Sequence, residues 1–236
     1  MTDLSLAGRL ALVTGASRGI GAATALALGK AGAHVVLTAR TPGGLEEIEE
    51  AIHAAGGSAT IAPLDLTDAD GIPRLAAAIS ERWDALDILV LNAAQLGSLS
   101  PVSAFDAKEV SKTFTLNVSA QAALIGSFDA MLRSSTAGRV IGLTSSVGRS
   151  PRAYWGMYGA SKAAFENLLL TYAGEVEGMS KVRVAIVDPG ATRTRMRARA
   201  YPGEDPASVK PPETVAARIM TLLEQDFETG AFVRVE

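Results

Sequence analysis

The sequence feature that most constrains the fold of this chain is a short apolar run followed by three closely spaced glycines. Residues 10–13, Leu-Ala-Leu-Val, have the continuous apolar character of a parallel strand covered on both faces. Gly15, Gly19 and Gly21 follow, and residues 22–28 then carry the small and apolar side chains of a helix packed against a sheet. The glycines permit a tight turn, and the free N–H groups of the helix start favour an anion such as a dinucleotide pyrophosphate. An ordinary tight turn is the alternative interpretation.

The end of the second strand indicates which dinucleotide the turn would bind. His34–Ala39 is predicted to be a strand, and Gly32 is placed to end the helix before it. In such strand–helix–strand units, a carboxylate about 20 residues beyond the glycines binds the ribose 2′-hydroxyl of NAD, whereas arginine accommodates the 2′-phosphate of NADP. The residue here is Arg40, and Arg18 in the turn can reach the same phosphate. The pair predicts NADP in preference to NAD, and two solvated surface arginines are the alternative.

Strand and helix patterns alternate along the rest of the chain. Further strands are predicted over 58–62, 87–91, 139–144, 182–187 and 231–235, and further helices over 45–55, from Thr67 or Asp68 through Trp83, over 102–132 and over 213–224. This alternation predicts an α/β fold, a single Rossmann-like doubly wound parallel sheet of about seven strands with helices on both faces. No linker rich in Pro, Gly or Ser divides the 236 residues, so one domain is predicted over 1–236.

Composition and charge argue against several classes of protein. The net charge of -3 and pI near 5.5 argue against a general nucleic-acid binder. There is no cysteine, and the two histidines, His34 and His53, lack metal-ligand spacing, so no metal site is predicted. No apolar run approaches the ~20 residues of a membrane span, and no basic leader precedes the first strand. A cytoplasmic protein is therefore expected.

Tyr158 and Lys162 form the pair of residues most suggestive of catalysis. Positions i and i+4 share one helix face, and an ammonium within ~4–6 Å favours a phenolate, so the pair predicts a lowered pKa for Tyr158. A serine pair, Ser145 and Ser146, follows the strand over 139–144. Tyrosine and lysine four residues apart also occur by chance in helices, and serines after a strand commonly cap the next segment.

The motifs taken in order resemble those of the short-chain dehydrogenase/reductase family. They are Thr14-Gly-x-x-x-Gly-Ile-Gly, Asn92-Ala-Ala-Gln, Ser146-Val-Gly, Tyr158-x-x-x-Lys and Pro189-Gly, and they span essentially the whole chain. The resemblance implies an NADP(H)-dependent oxidoreductase that transfers a hydride between nicotinamide and a carbonyl or secondary alcohol, with Tyr158 as acid/base. The catalytic residues implied are Asn117, Ser146, Tyr158 and Lys162. The cofactor-binding residues implied are Gly15, Ser17, Arg18, Gly19, Ile20, Gly21, Arg40, Asp65, Leu66, Asn92, Ala93, Tyr158, Lys162, Pro189, Gly190 and Thr192.

The resemblance also implies particular roles for several of these residues. Asn117 would kink its helix and hold a water that relays protons to Lys162, and Asp65 would contact the adenine. Thr192 would hold the nicotinamide carboxamide. Two points stay open: Gln95 stands where the family usually has glycine, and Ser145, thirteen residues before Tyr158, has the more usual separation although Ser146 precedes Val-Gly as in the family.

The segment over 190–212 is predicted to be a substrate lid. Four arginines alternate through it, namely Arg193, Arg195, Arg197 and Arg199. They could meet an anionic substrate, but positions i and i+2 do not share a helix face, which favours a solvated surface. Four nearby side chains could line an apolar pocket or simply pack against one another, namely Tyr154, Trp155, Met157 and Met196.

The sequence also supports expectations about the oligomeric state and leaves alternative functions open. The helix over 102–132 resembles the one by which family members dimerise, so a homodimer or homotetramer is expected. A dinucleotide-binding regulator without turnover, or an epimerase or dehydratase that uses the same cofactor, are the alternative functions. The sequence does not specify the substrate.

Overall fold

A computed structural model describes residues 5–236. Seven strands within this range form a single sheet. All adjacent strands are parallel, in the order β3-β2-β1-β4-β5-β6-β7. The strands are β1 Leu10–Thr14, β2 His34–Ala39, β3 Ser58–Pro63, β4 Ile88–Leu91, β5 Arg139–Leu143, β6 Arg183–Asp188 and β7 Ala231–Arg234. The predicted fold class is confirmed.

Within residues 5–236, eight α-helices connect or follow these strands. They are α1 Gly19–Lys30, α2 Pro42–Ala54, α3 Gly71–Ser80, α4 Ala107–Phe114, α5 Ala120–Ser134, α6 Gly156–Val176, α7 Arg195–Ala200 and α8 Pro212–Glu224. Short 3-10 turns lie at Val102–Ala104, Ser146–Gly148 and Pro206–Ser208. Within residues 5–236, no helix combines the length and apolar character needed to cross a membrane.

Two predicted helices differ from the observed ones. The helix predicted over 102–132 begins later, at Ala107, and continues through a π-helical segment at Thr115–Ser119 into α5, which ends at Ser134. The helix predicted from Thr67 or Asp68 through Trp83 is the shorter α3, and neither residue caps it. Thr67 instead donates its backbone N–H and hydroxyl to Asp65 Oδ1, at 2.9 and 2.7 Å, so the loop after β3 closes on itself before α3 begins.

Hydrophobic side chains cover both faces of the sheet. Leu12, Phe128 and Phe165 belong to the cluster on the α3, α5 and α6 side. Val13 and Ile52 belong to the cluster on the side of α1, α2 and α8. Because alternate residues of each strand point to opposite faces, central strands with two covered faces must be largely apolar, as β4 is throughout and β1 is up to its last residue, Thr14.

The order in which strands are added to the sheet reverses at β1, because β2 and β3 are added on one side of it and β4 to β7 on the other. This strand has β2 on one side and β4 on the other, so the connections after β1 and β4 diverge from each other at the carboxyl edge of the sheet. Ligands of open parallel sheets bind in the crevice at such a point. The topology therefore places the glycine turn after β1 and Asn92 after β4 side by side at that crevice.

Candidate active site

A cleft of about 480 Å³ lies at this edge of the sheet and brings together most of the predicted site residues. Every predicted cofactor-binding residue except Gly21 lines it, including Tyr158 and Lys162. Of the predicted catalytic residues, Asn117 and Ser146 are not on its wall. Trp155 and Met196 line it as one interpretation of the sequence suggested, whereas Tyr154 is exposed and Met157 is buried elsewhere.

The glycine turn after β1 forms the part of the wall that suits a pyrophosphate. Gly15 has a φ of +65°, and a Cβ added to it would lie 2.8 Å from Asn92 Nδ2. Gly21 lies behind the turn, where a Cβ would meet Gly15 O at 2.4 Å. Arg18, the residue before α1, makes no side-chain cap, so N–H groups of the first helical turn are left for a ligand.

Asn92 fixes the position of this turn. Its Nδ2 donates to Thr14 O at 2.9 Å and to Gly15 O at 3.3 Å. The Thr14 hydroxyl accepts in return from the backbone N–H groups of Asn92 and Ala93, at 2.9 and 3.0 Å. Asn92 therefore ties the end of β4 to the end of β1 as well as lining the cleft.

Tyr158 and Lys162 lie one turn apart near the start of α6, and both are buried. Lys162 Nζ donates to Leu143 O at 2.7 Å and lies 5.8 Å from the centre of the Tyr158 ring. Burial lowers the pKa of Lys162 to about 8, against the opposing effect of Glu166. The protonated amine is thus anchored at the end of β5, beside the phenol.

The sequence-based prediction of a lowered pKa for Tyr158 is contradicted. Burial raises the pKa of the phenol above its ordinary value, and the carboxylate of Asp188 raises it further. The energetic cost of burying a charged phenolate outweighs any stabilisation that the nearby ammonium of Lys162 gives it. Tyr158 in this structure is accordingly a neutral phenol, which can donate a hydrogen bond or a proton.

The two serines after β5 have different surroundings. Ser145 lines the cleft together with Thr144, whereas Ser146 begins a 3-10 turn and is not on the cleft wall. Ser146 was the serine favoured from the Val-Gly that follows it, and the structure favours Ser145 instead. The physical reason is that the chain turns away from the cleft at Ser146, whose carbonyl accepts from the N–H of Ser150 at 2.8 Å.

Glu166 is a buried carboxylate that sequence reasoning missed. Its Oε1 accepts from the Thr144 hydroxyl and its Oε2 from Arg149 Nε, both at 2.5 Å. It therefore ties the two ends of the segment around Ser145 to α6, one helical turn beyond Lys162. Its position eight residues after Tyr158, on the face shared with Lys162, is the signal that could have found it.

Asn117 lies in the π-helical segment, in accord with the expected kink. The side chain is buried and holds Gln95 through both backbone groups, since Oδ1 accepts from Gln95 N and Nδ2 donates to Gln95 O, each at 2.9 Å. Nδ2 also donates to Ser161 Oγ at 2.9 Å, next to Lys162. Asn117 thus links the loop after β4 to α6 without reaching the cleft through its side chain.

Asp65 and Arg40 lie at the opposite end of the cleft from Tyr158 along the sheet edge. Hydrogen bonds from Thr67 hold the pKa of Asp65 below its ordinary value, and the charge of Arg40 acts in the same direction. The carboxylate is therefore ionised and fixed, while Arg40 is exposed at the end of β2. Within residues 5–236, no cluster of metal-ligating side chains accompanies these groups.

Comparison with known proteins gives the family of the chain. The family model described as short chain dehydrogenase matches residues 9–205. The chain belongs to the short chain dehydrogenase family. The oxidoreductase YciK of Escherichia coli K12 is 34% identical over 221 residues, which cover 92% of this chain and 87% of that protein.

Solved structures of other short chain dehydrogenases agree with this assignment. A protein from Pseudomonas syringae has a TM-score of 0.95 at 37% identity, with 100% of this chain and 97% of that chain covered. A protein from Shigella flexneri 2a, described as complexed with NADP, has a TM-score of 0.94 at 34% identity, with 100% and 99% covered. The chain is therefore a short chain dehydrogenase in family and fold, and its class of activity is that of an oxidoreductase.

Proposed function

We propose that this short chain dehydrogenase reduces a carbonyl compound with NADPH, and oxidises the corresponding secondary alcohol in reverse. The observation that carries the proposal is a cleft whose lining includes Arg18 and Arg40 near one end and Tyr158, Lys162 and Ser145 near the other. The arginines suit a 2′-phosphate, and the other three residues suit a reacting carbonyl oxygen. The NADP complex of the related Shigella protein supports the choice of cofactor.

The residues fit the cofactor along the length of the cleft. The uncapped first turn of α1 and the turn at Gly15 would hold the pyrophosphate, and Asp65 with Leu66 would border the adenine. Pro189, Gly190 and Thr192, after β6, would border the nicotinamide. The reduced nicotinamide supplies a hydride to the carbonyl carbon.

Tyr158 is proposed to donate the proton. Its raised pKa keeps the phenol protonated, so that it can transfer a proton to the oxygen as negative charge develops there. The hydroxyl of Ser145 would donate a hydrogen bond to the same oxygen. Lys162, held by Leu143 O, would stabilise the phenolate that Tyr158 becomes.

The segment over 190–212 is proposed to close over the substrate. Its two ends are tied together, because Arg193 N donates to Lys210 O at 2.8 Å and Thr192 pairs with Lys210 in an isolated bridge. Between them, Thr194 caps α7 by accepting from Arg197 N at 3.1 Å. A closed lid would exclude water from the reacting carbon.

Replacing Arg40 by alanine is expected to weaken NADPH binding about 10- to 100-fold, since a hydrogen bond to a charged group contributes about 1.5–3 kcal/mol. NADH binding should change less than twofold, because NADH lacks the 2′-phosphate. Fluorescence titration of both cofactors measures the two affinities, and NADH serves as the internal control. Equal loss of both affinities would contradict the role given to Arg40.

Replacing Glu166 by glutamine is expected to shift the alkaline limb of the pH–rate profile to lower pH. The carboxylate raises the pKa of Lys162, so its removal lowers that pKa further below about 8. Lys162 is charged below its pKa and loses its charge as the pH rises through that value. In the variant, the loss of activity at alkaline pH should therefore begin at a lower pH than in the unmodified protein. Glu175→Gln, an exposed carboxylate on the same helix, is the matched control and should leave the limb in place. An unchanged limb in Glu166→Gln would contradict this positioning role.

A further inference from the structure

Two arginines on α7 are the strongest charged feature of the cleft that the proposed reaction leaves unused. Arg195 and Arg199 lie one helical turn apart and both line the cleft. Both are exposed, and neither has an ion-pair partner among residues 5–236. Their charges are therefore available to a ligand.

Arg197, on the same helix, is already engaged. Its Nε and Nη2 donate to the two carboxylate oxygens of Glu204, at 2.6 and 2.5 Å. Its guanidinium lies 3.7 Å from the centre of the Tyr201 ring. This pairing leaves Arg195 and Arg199 as the uncompensated charges of α7 and fixes the helix that carries them.

The helix lies at the reacting end of the cleft. Met196 and Ala200 pack against the small cluster of Leu96, Val147 and Tyr158. Trp155 joins this cluster, with its ring 6.2 Å from that of Tyr158. Because Arg195 and Arg199 each precede one of the packed residues, they stand about 100° around the helix from them. They therefore border the apolar wall next to the proposed proton donor.

The cleft has more positive charge than the 2′-phosphate explains. Six cationic side chains and a single carboxylate, Asp65, are among the described residues of its lining. Arg18 and Arg40 serve the phosphate under the proposal above. The α7 segment follows β6, which is four strand positions from β2, or ~19 Å at about 4.8 Å per strand. This separation places Arg195 and Arg199 away from the 2′-phosphate that Arg40 meets. Thr194, the residue before α7, lies against the glycine turn, since a Cβ added to Gly19 would be 3.4 Å from Thr194 Cγ2, so α7 begins beside the part of the cleft proposed for the pyrophosphate. The NADPH affinity of an α7 variant therefore has to be measured together with its affinity for a substrate anion.

We propose that Arg195 and Arg199 bind an anionic group of the substrate, so that the substrates are carbonyl compounds that carry a carboxylate or a phosphate. The planar guanidinium matches both groups by paired hydrogen bonds. The apolar wall of Trp155 and Met196 would contact the part of the substrate between the anion and the carbonyl. This inference rests on the proposed function, since it assumes a carbonyl at Tyr158.

The test is calorimetric titration of the NADP⁺-saturated protein, in which no carbonyl is turned over. The probes are 4-acetylbenzoate, 4-acetylphenyl phosphate and the neutral methyl 4-acetylbenzoate. We expect at least one anion to bind about tenfold or more tightly than the ester, as a charge-assisted hydrogen bond implies. The Arg195→Gln/Arg199→Gln double variant should lose this preference, and the better of the two anions distinguishes carboxylate from phosphate.

Arg193→Gln is the matched control, because Arg193 is exposed in the same segment but does not line the cleft. It should retain the preference for the anion. Equal binding of all three probes, no binding of any, or a preference that survives in the double variant would overturn the proposal. Weaker NADPH binding by the double variant would also overturn it, since the arginines would then serve the cofactor.

A separate assay of NADPH oxidation with the two anionic ketones and with an uncharged aldehyde keeps this inference distinct from the proposed function. Anion preference in the calorimeter without turnover of any carbonyl would refute the proposed reaction and leave the anion site standing. Turnover of uncharged carbonyls without a preference for the anions would refute the anion site and leave the proposed reaction standing.

Discussion

Replacing Tyr158 by phenylalanine is expected to reduce kcat/KM for carbonyl reduction by about 10²- to 10⁴-fold, the range for loss of a general acid. The variant loses only the hydroxyl that donates the proton. Phenylalanine keeps the ring that packs against Trp155, Leu96 and Val147, so the fold and the cleft should be unchanged. Initial rates of NADPH oxidation measure the effect.

The control for this variant is its affinity for NADPH, which should stay within about threefold of the unmodified protein, because the ring that lines the cleft remains. Retention of more than a tenth of the activity would contradict the role of Tyr158 as proton donor. Unchanged cellular function of Tyr158→Phe would instead favour a dinucleotide-binding regulator.

Replacing Gly21 by alanine is expected to damage both the fold and cofactor binding. The added Cβ would lie 2.4 Å from Gly15 O and 2.5 Å from Asn92 Nδ2, distances that require backbone and the Asn92 side chain to move. Overpacking of this kind costs about 1–3 kcal/mol in the free energy of unfolding. Because the displaced atoms shape the glycine turn, NADPH affinity should fall about tenfold or more.

Gly174→Ala is the matched control for the glycine substitution. Gly174 is exposed on α6, and an added Cβ would meet nothing within 4 Å. Alanine there should leave NADPH binding unchanged and raise stability by about 0.5–1 kcal/mol, because alanine is the better helix residue. Urea unfolding and cofactor titration of the two variants provide the comparison. Normal NADPH affinity in Gly21→Ala would contradict the described packing of the turn.

The strands and the glycine turn could be predicted from the sequence because a strand buried on both faces must be continuously apolar. His34–Ala39 was predicted with its observed bounds, and the first strand extends one residue further, to Thr14. The positive φ of Gly15 and the close approach of Gly21 to Gly15 O are requirements within the turn itself, so the spacing of these glycines carries the information. Local rules of this kind apply to most of the cofactor-binding wall.

Features that depend on three-dimensional surroundings could not be predicted. The choice between Ser145 and Ser146 depends on where the chain turns after β5, and spacing motifs support either residue. The pKa of Tyr158 depends on its burial, which outweighs the spacing to Lys162. Glu166 acts through contacts with Thr144 and Arg149 that lie far from it in the sequence.

The arginines of α7 show that a rule about helix faces does not by itself place side chains relative to the cleft. Positions i and i+2 do lie on different helix faces, yet Arg195, Arg197 and Arg199 all line the cleft. The cleft wraps around this short exposed helix, so more than one face borders it. Arg193 lies off the cleft wall, as the solvated-surface interpretation predicts. The other three line the cleft, and their function stays a prediction.

The most direct measurement of the proposed reaction follows the hydrogen that reaches the substrate carbon. The protein is incubated with a panel of charged and uncharged carbonyl compounds and with NADPH that carries deuterium at the reactive position of the nicotinamide. Mass spectrometry and NMR of the alcohol should find one deuterium on the new carbinol carbon for each NADPH consumed. An alcohol whose carbinol hydrogen comes from water, or NADPH that binds and is oxidised by no carbonyl in the panel, would contradict hydride transfer beside Tyr158.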